Sequence, residues 1–514
     1  MSRDNLLALI LLTVSLIIFF IWGFDYLPSE HFLIFTFATI FGLFMAFNIG
    51  GNDVANAFGT SVGAKTLTIK QALFIAAIFE LSGAVLAGGE VTKTIRQGIV
   101  QIPIVDFNPM LFILVMMSAL LSAGVWLLFA SKRGLPVSTT HSIVGGIVGG
   151  SIALGYVVTS GENSFSLVNW QKIGQIAFSW VISPILGGVV SYAIYSYIKN
   201  KVLIPSQKAL DTVKRMKKYR KNYKEKFSQA LSLKSKTEQI EELQKLAMYD
   251  EEDDDGIEES DFHKRIKNMK KREKKVDTFF ALKKHVPLIG GFSAAIISGM
   301  MLFKGLENLK IEVSTFETLW IIFLISTGAY LATLAIINIM AKNDVNKASM
   351  KIFSWFQIFT ASAFAFSHGA NDIANAIGPF AAILDVLKTG VIGSSAPIPF
   401  VAMFTFGVSL IVGLWFLGKE VINTVGTRLA EILPSTGFSA ELSASIVILL
   451  ATKLGIPVSS THILIGAVLG IGLFNKDANW KLMKPIALAW AITLPVAAIS
   501  SAIFFFALRA LLGV

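Results

Sequence analysis

The chain has no cysteine and little charge: Asp, Glu, Lys and Arg make up 15% of its 514 residues, against roughly 25% in soluble domains. Without cysteine it has neither a disulfide nor a thiolate metal site. It also lacks a Gly-x-x-x-x-Gly-Lys-Ser/Thr loop, which disfavours an ATP-driven pump. No small-x-small cleavage site follows the first apolar run, and Trp22 and Tyr26 come next as an interfacial anchor. That run therefore reads as a retained helix rather than a signal peptide. The formal net charge of +11 would suit nucleic acid, but an excess of Lys and Arg is also what the cytoplasmic loops of membrane proteins carry. No nucleic-acid partner is expected.

What the chain has instead is apolar length. Hydrophobic residues make up 54%, the mean hydropathy is +0.65, and the runs at 6–20, 32–47, 111–130 and 319–340 approach or reach the roughly 20 residues that span a bilayer. Candidate spans fall at 5–23, 31–49, 70–88, 111–130, 142–159 and 173–198, then at 286–304, 317–341, 351–368, 396–417, 440–452, 460–474 and 484–512. Several are short or Gly-rich, and re-entrant segments mimic spans, so about 12 transmembrane segments are expected. The charge concentrates in 199–285, which is basic at Lys214-Arg215-Met216-Lys217-Lys218, acidic over 250–255 and basic again over 264–275. This block reads as a cytoplasmic loop linking two halves. The expected division is a first membrane repeat at 1–198, the charged loop at 199–285, a connecting membrane segment at 286–316 and a second repeat at 317–514. The expected place is a cell membrane, the inner one in a two-membrane cell.

The repeat is explicit. Gly50-Gly51-Asn52-Asp53-Val54-Ala55-Asn56-Ala57 returns as Gly369-Ala370-Asn371-Asp372-Ile373-Ala374-Asn375-Ala376, and Pro136-Val137-Ser138-Thr139-Thr140-His141 returns as Pro457-Val458-Ser459-Ser460-Thr461-His462. Asp372 follows Asp53 by 319 residues and His462 follows His141 by 321. Trp180 and Pro184 are echoed by Trp490 and Pro495. By the span count the second motif is entered seven spans after the first. That odd offset inverts the copies, the arrangement of secondary transporters with a site near the midplane. The expected fold is all-α and polytopic, built from two inverted repeats with broken or re-entrant helices.

An Asp within a membrane segment is costly unless paired or facing a polar cavity. Asn52, Asp53 and Asn56, and equally Asn371, Asp372 and Asn375, offer hard oxygen donors that suit Na⁺, Mg²⁺ or a proton. Flanking glycines allow the helix to break there. The plainer reading is a polar helix–helix contact. The hydroxyl runs Ser138-Thr139-Thr140 and Ser459-Ser460-Thr461 each open a Gly-rich helix, where capping hydroxyls, free N–H groups and the helix dipole favour an anion; ordinary capping is the alternative. His141 and His462 read as groups that orient a neighbour. Two carboxylates beside an oxyanion, with no Lys or Arg in the motifs, call for bound cations or protons, and anion binding then depends on cation binding. Glu80 and Glu441 are unduplicated acids in apolar segments. Each either completes a cation site or snorkels to the interface.

These paired motifs resemble those of the inorganic phosphate transporter (PiT) family, over roughly 30–198 and 350–512. The resemblance implies a secondary active transporter, not an enzyme, that imports inorganic phosphate with Na⁺ as coupling ion by alternating access. It implies phosphate binding by Asn52, Asn371, Ser138, Thr139, Thr140, Ser459, Ser460 and Thr461. It implies cation binding by Asp53, Asn56, Asp372, Asn375, Glu80 and Glu441. The sequence departs from the family pattern at 116–118, where an acid of the sodium-coupled branch is replaced by apolar residues, and at Gly51, where Ala is usual. A proton-coupled metal–phosphate carrier or a sulfate permease is the alternative, and a channel or receptor on the same fold a third reading. The expected partners are phosphate, sodium ions and the lipid bilayer, with a homodimer as the assembly.

Overall fold

The computed structural model describes residues 3–100, 108–247, 261–308, 313–341, 344–392, 398–428 and 432–514. Among these all regular structure is helical. Ahead of the charged region come α1 (Arg3–Tyr26), α2 (Phe32–Ile49), α3 (Ala55–Gly63), α4 (Ile69–Ala87), α5 (Gly89–Gln97), α6 (Pro109–Lys132), α7 (Thr139–Val158) and α8 (Trp170–Ile198). The charged region forms α9 (Ile204–Ser232), α10 (Lys236–Ala247) and α11 (Asp261–Lys274). There follow α12 (Phe280–Asn308), α13 (Thr315–Met340), α14 (Val345–Asp372), α15 (Ala374–Thr389), α16 (Phe400–Arg428), α17 (Pro434–Lys453), α18 (Ser460–Asn475) and α19 (Trp480–Leu512).

Eleven of the described helices are long and apolar enough to cross a membrane, close to the twelve expected. The segment at 351–368 is not among them because α14 carries Lys347, Lys351, Gln357, His368 and Asp372 along its length. The segment at 460–474 forms only the 16-residue α18. The short α5 and α15 have no counterpart among the expected spans.

The chain divides into two compact units, residues 1–196, 291–327 and 352–514 on one hand and 197–290 with 328–351 on the other. The second is a charged helical assembly in which the Phe262 ring of α11 stacks on Tyr223 and Phe227 of α9, at centroid distances of 5.8 and 4.0 Å. Arg220 and Glu273 pair at 2.6 Å across the same two helices.

In the first unit the repeats interlock. A Cβ at Gly50 would fall 1.7 Å from the Leu410 carbonyl oxygen of α16, and one at Gly369 would fall 2.1 Å from that of Glu80 on α4. The helix leading into each Asn-Asp motif thus lies backbone to backbone against a helix of the other copy. The hydroxyl-capped helices do likewise: Gly149 of α7 meets Ala498 of α19, and Gly470 of α18 meets Gly188 of α8. Such reciprocal contacts are what a twofold relation between copies requires.

Candidate functional site

The expected helix break at the first motif takes the form of a wide turn. The chain passes from α2 into α3 through a π-helical turn, Gly50–Val54, which holds Asn52 and Asp53; wide turns of this kind recur at functional sites. In the second copy α14 runs through Asp372, and only Ile373 separates it from α15. At both motifs the neighbouring backbone packs directly against the glycines.

Asn52 braces the turn before α7. Its Nδ2 donates to Leu135 O at 3.0 Å and Ser131 Oγ at 3.1 Å, and its Oδ1 accepts from Val137 N at 3.0 Å. Asn371 also holds the hydroxyl run of its own copy, but through a different carbonyl: its Nδ2 donates to Val458 O and to Asp372 Oδ1, both at 2.9 Å. Ser138 and Ser459 are the N-caps of α7 and α18, accepting from His141 N and His462 N. Both hydroxyls thus cap the helix that follows them.

Three of the four remaining hydroxyls point at the carboxylates. Thr139 donates to Asp53 through Oγ1 at 2.5 Å and through its backbone N–H at 3.4 Å, and Thr461 of the other copy also donates to Asp53. Ser460 Oγ donates to Asp372 at 2.6 Å. Thr140 Oγ1 donates to Val458 O at 2.9 Å, while Thr461 Oγ1 lies 3.5 Å from Val137 O. Each hydroxyl run therefore reaches across to the other, and Asn375 Nδ2 closes the ring on Thr139 and Thr140 at 3.1 and 3.2 Å. Asp53, Asp372 and all these partners are at most 2% exposed. A carboxylate thus sits at the positive end of α7, the place an anion favours.

His368, which sequence reasoning passed over, sits at the asymmetric side. Its Nδ1 lies 2.8 Å from Glu80 and its Nε2 2.7 Å from Asp372, so the imidazole bridges two buried carboxyl groups. His368 aligns with Ile49 of the first copy, so the repeat carries no sign of it. Its adjacency to Gly369 in a polar stretch of an apolar region was the available clue. Ligand atoms of Asp53, His368 and Asp372 lie within 4.8 Å of one another. Asn371 Oδ1, Asn375 Oδ1 and Glu80 Oε1 are buried oxygens without a hydrogen-bond partner. Unpartnered carbonyl-type oxygens beside carboxylates are a donor set that fits a hard monovalent or divalent cation.

Glu441, on α17, forms a second buried cluster. Its carboxylate accepts from Thr60 and Ser61 at 2.6 Å, from Thr360 at 2.8 Å and from Gln357 at 3.2 Å. Glu80 and Glu441 are 1% and 0% exposed, which overturns the snorkelling alternative for both; each is held inside by polar partners. The Asn56 side chain lies outside the described residues. His141 and His462 pack ring to ring at 4.5 Å, each on its own tryptophan, Trp180 and Trp490, at 3.8 Å.

Residues 49–501 match the model of the phosphate transporter family. A protein named as a phosphate permease in Mycobacterium bovis is 50% identical over 508 residues, 98% of this chain and 92% of its own. The chloroplastic inorganic phosphate transporter 2-1 of Arabidopsis thaliana is 33% identical over 91% of this chain and 71% of its own. A solved structure described as the sodium-dependent phosphate transporter superposes with a TM-score of 0.69 at 30% identity, covering 93% of this chain and 99% of that one.

Proposed function

Because the chain belongs to the phosphate transporter family, we propose that this multi-pass membrane protein imports inorganic phosphate together with Na⁺ by alternating access. It is a transporter rather than an enzyme. The observation that carries the coupled reading is that the donors best suited to an oxyanion are held by the protein's own carboxylates. Thr139 and Thr461 donate to Asp53, and Ser460 donates to Asp372. A phosphate ion competes for those hydroxyls and is repelled by the same carboxylates. Cations bound by Asp53 and Asp372 relieve the repulsion and draw the carboxylates away, so each ligand strengthens the other's binding.

In this reading Thr139, Thr140, Ser460, Thr461 and the helix N-termini behind them bind phosphate. Ser138, Ser459, Asn52 and Asn371 set the backbone that presents them. Asp53, Asp372, Asn375 and Glu80 hold Na⁺ at the phosphate, with Asn56 as a further ligand, and Glu441 holds Na⁺ with the hydroxyls around it. The complete burial of this network corresponds to a state closed to both sides, and rocking of the interlocked repeats opens it to one side or the other. The loop at 199–285 faces the cytoplasm, and the assembly is a homodimer in the lipid bilayer.

His368 favours a second reading. An imidazole among carboxylates also suits a transition-metal ion or a proton, as a proton-coupled metal–phosphate carrier needs. Radiolabelled phosphate uptake into proteoliposomes separates the two. The sodium reading expects uptake that follows an inward Na⁺ gradient and resists sulfate. Equal uptake on a pH gradient without Na⁺ contradicts it.

A further inference from the structure

A cleft of about 560 Å³ lies between α8 and the C-terminal end of α17, outside the site just described. Its walls are apolar. Phe178 and Leu186 of α8 face Leu450 and Leu454 across it, and Phe178 and Leu454 are 67% and 72% exposed. In a membrane-spanning region such side chains face lipid, so the cleft is open to the bilayer rather than to water. The polar exceptions are the small hydroxyls of Ser179 and Ser183 and, toward one end, Gln175 and Lys172, the latter without a carboxylate partner among the described residues. From Lys172 to Leu186 the cleft follows α8 for about 21 Å at 1.5 Å per residue, more than the roughly 15 Å hydrocarbon depth of one leaflet. It is long enough for one acyl chain, with a cation at the headgroup end. The far wall ends on Pro457 and Val458. The carbonyl of Val458 accepts from Thr140 Oγ1 and Asn371 Nδ2, both at 2.9 Å. The peptide that borders the cleft is therefore the one that organises the second hydroxyl run.

We propose that an anionic phospholipid of the surrounding bilayer seats one acyl chain in this cleft with its headgroup phosphate against Lys172. The occupied cleft supports residues 456–458 and so keeps Val458 aligned for Thr140 and Asn371. The charge selects the lipid and the groove takes the chain.

The test is native mass spectrometry of the full-length protein after delipidation and exposure to phosphatidylglycerol or phosphatidylcholine, paired with uptake in liposomes of the same lipids. The wild type is expected to retain phosphatidylglycerol in preference. Lys172→Gln is expected to reduce that preference about fivefold, the worth of one lysine against an anionic headgroup. Ser183→Phe, which fills the groove wall, is expected to release both lipids. In pure phosphatidylcholine the wild type should show a raised KM for phosphate, restored by phosphatidylglycerol; Ser183→Phe should not be restored. Equal retention by the wild type and Lys172→Gln overturns the proposal, and that comparison does not depend on transport. Disulfide-linked dimers formed by the single-cysteine variant Phe178→Cys in bilayers also overturn it, because a second copy then covers the cleft.

Discussion

Replacing Asp53 by Asn separates competition from simple ligand loss. The carboxylate holds Thr139 Oγ1 at 2.5 Å and also takes the donor of Thr461. A phosphate oxygen that approaches Thr139 Oγ1 from the side away from Asp53, at an ordinary O···O distance of about 2.7 Å, lies about 5 Å from the Asp53 oxygen and competes with it for the single hydroxyl proton. Two unit charges at that distance repel by about 3 kcal/mol at an effective dielectric of about 20, on the order of 10²-fold in affinity. Asp53→Asn removes that repulsion and leaves the hydroxyls in place. The variant is therefore expected to bind phosphate in sodium-free buffer on the order of 10² times more tightly than the wild type does there, and to lose most of its response to Na⁺. Uphill transport is lost, since phosphate binding no longer depends on a cation. Equilibrium binding of radiolabelled phosphate to purified protein, in choline and in sodium buffers, reads both effects. Weaker phosphate binding by Asp53→Asn with the wild-type dependence on Na⁺ would refute the competition argument and leave Asp53 as a structural acceptor.

Other outcomes follow from the same geometry. Glu441→Gln keeps the shape of a cluster fed by four donors but removes its charge. The Na⁺ concentration for half-maximal uptake should rise roughly ten- to a hundredfold, the range of one charge-assisted contact. KM for phosphate at saturating Na⁺ should be unchanged; equal losses in both would mean a purely structural role. His368→Gln and Glu80→Gln remove the same bridge, so in a double-mutant cycle on uptake the second substitution should cost much less than the first. Additive losses would separate the two residues. Gly50→Ala forces a carbon to within 1.7 Å of Leu410 O, so it should sharply lower the unfolding temperature in detergent. Gly174→Ala meets nothing within 4 Å and should leave that temperature unchanged or raise it slightly.

The internal repeat made much of this legible in advance. Two motifs in each copy, in the same order and at nearly one offset, pointed to Asp53, Asp372 and the hydroxyl runs, and the structure gathers them into one buried network. What the repeat does not copy was harder to read. His368 has no counterpart in the first copy, and its pairing with Glu80 joins positions 288 residues apart. The role of Glu441 was undecided because Thr60, Ser61, Gln357 and Thr360 come from two other helices, and hydropathy does not register which side chains converge. The glycines suggested broken helices. The helices are interrupted at both motifs, by the turn Gly50–Val54 and at Ile373, and the same glycines also allow close backbone packing between copies. Helices α5 and α15 escaped because short, partly polar helices give no membrane-length signal.

Mutual dependence of anion and cation at one site is tested most directly by the affinity for Na⁺ with and without saturating phosphate, set against the affinity for phosphate with and without saturating Na⁺. Calorimetry on the purified protein gives both. The two enhancement factors must be large and equal, because linkage makes the coupling reciprocal. A Na⁺ affinity that does not change when phosphate is added would contradict the central claim.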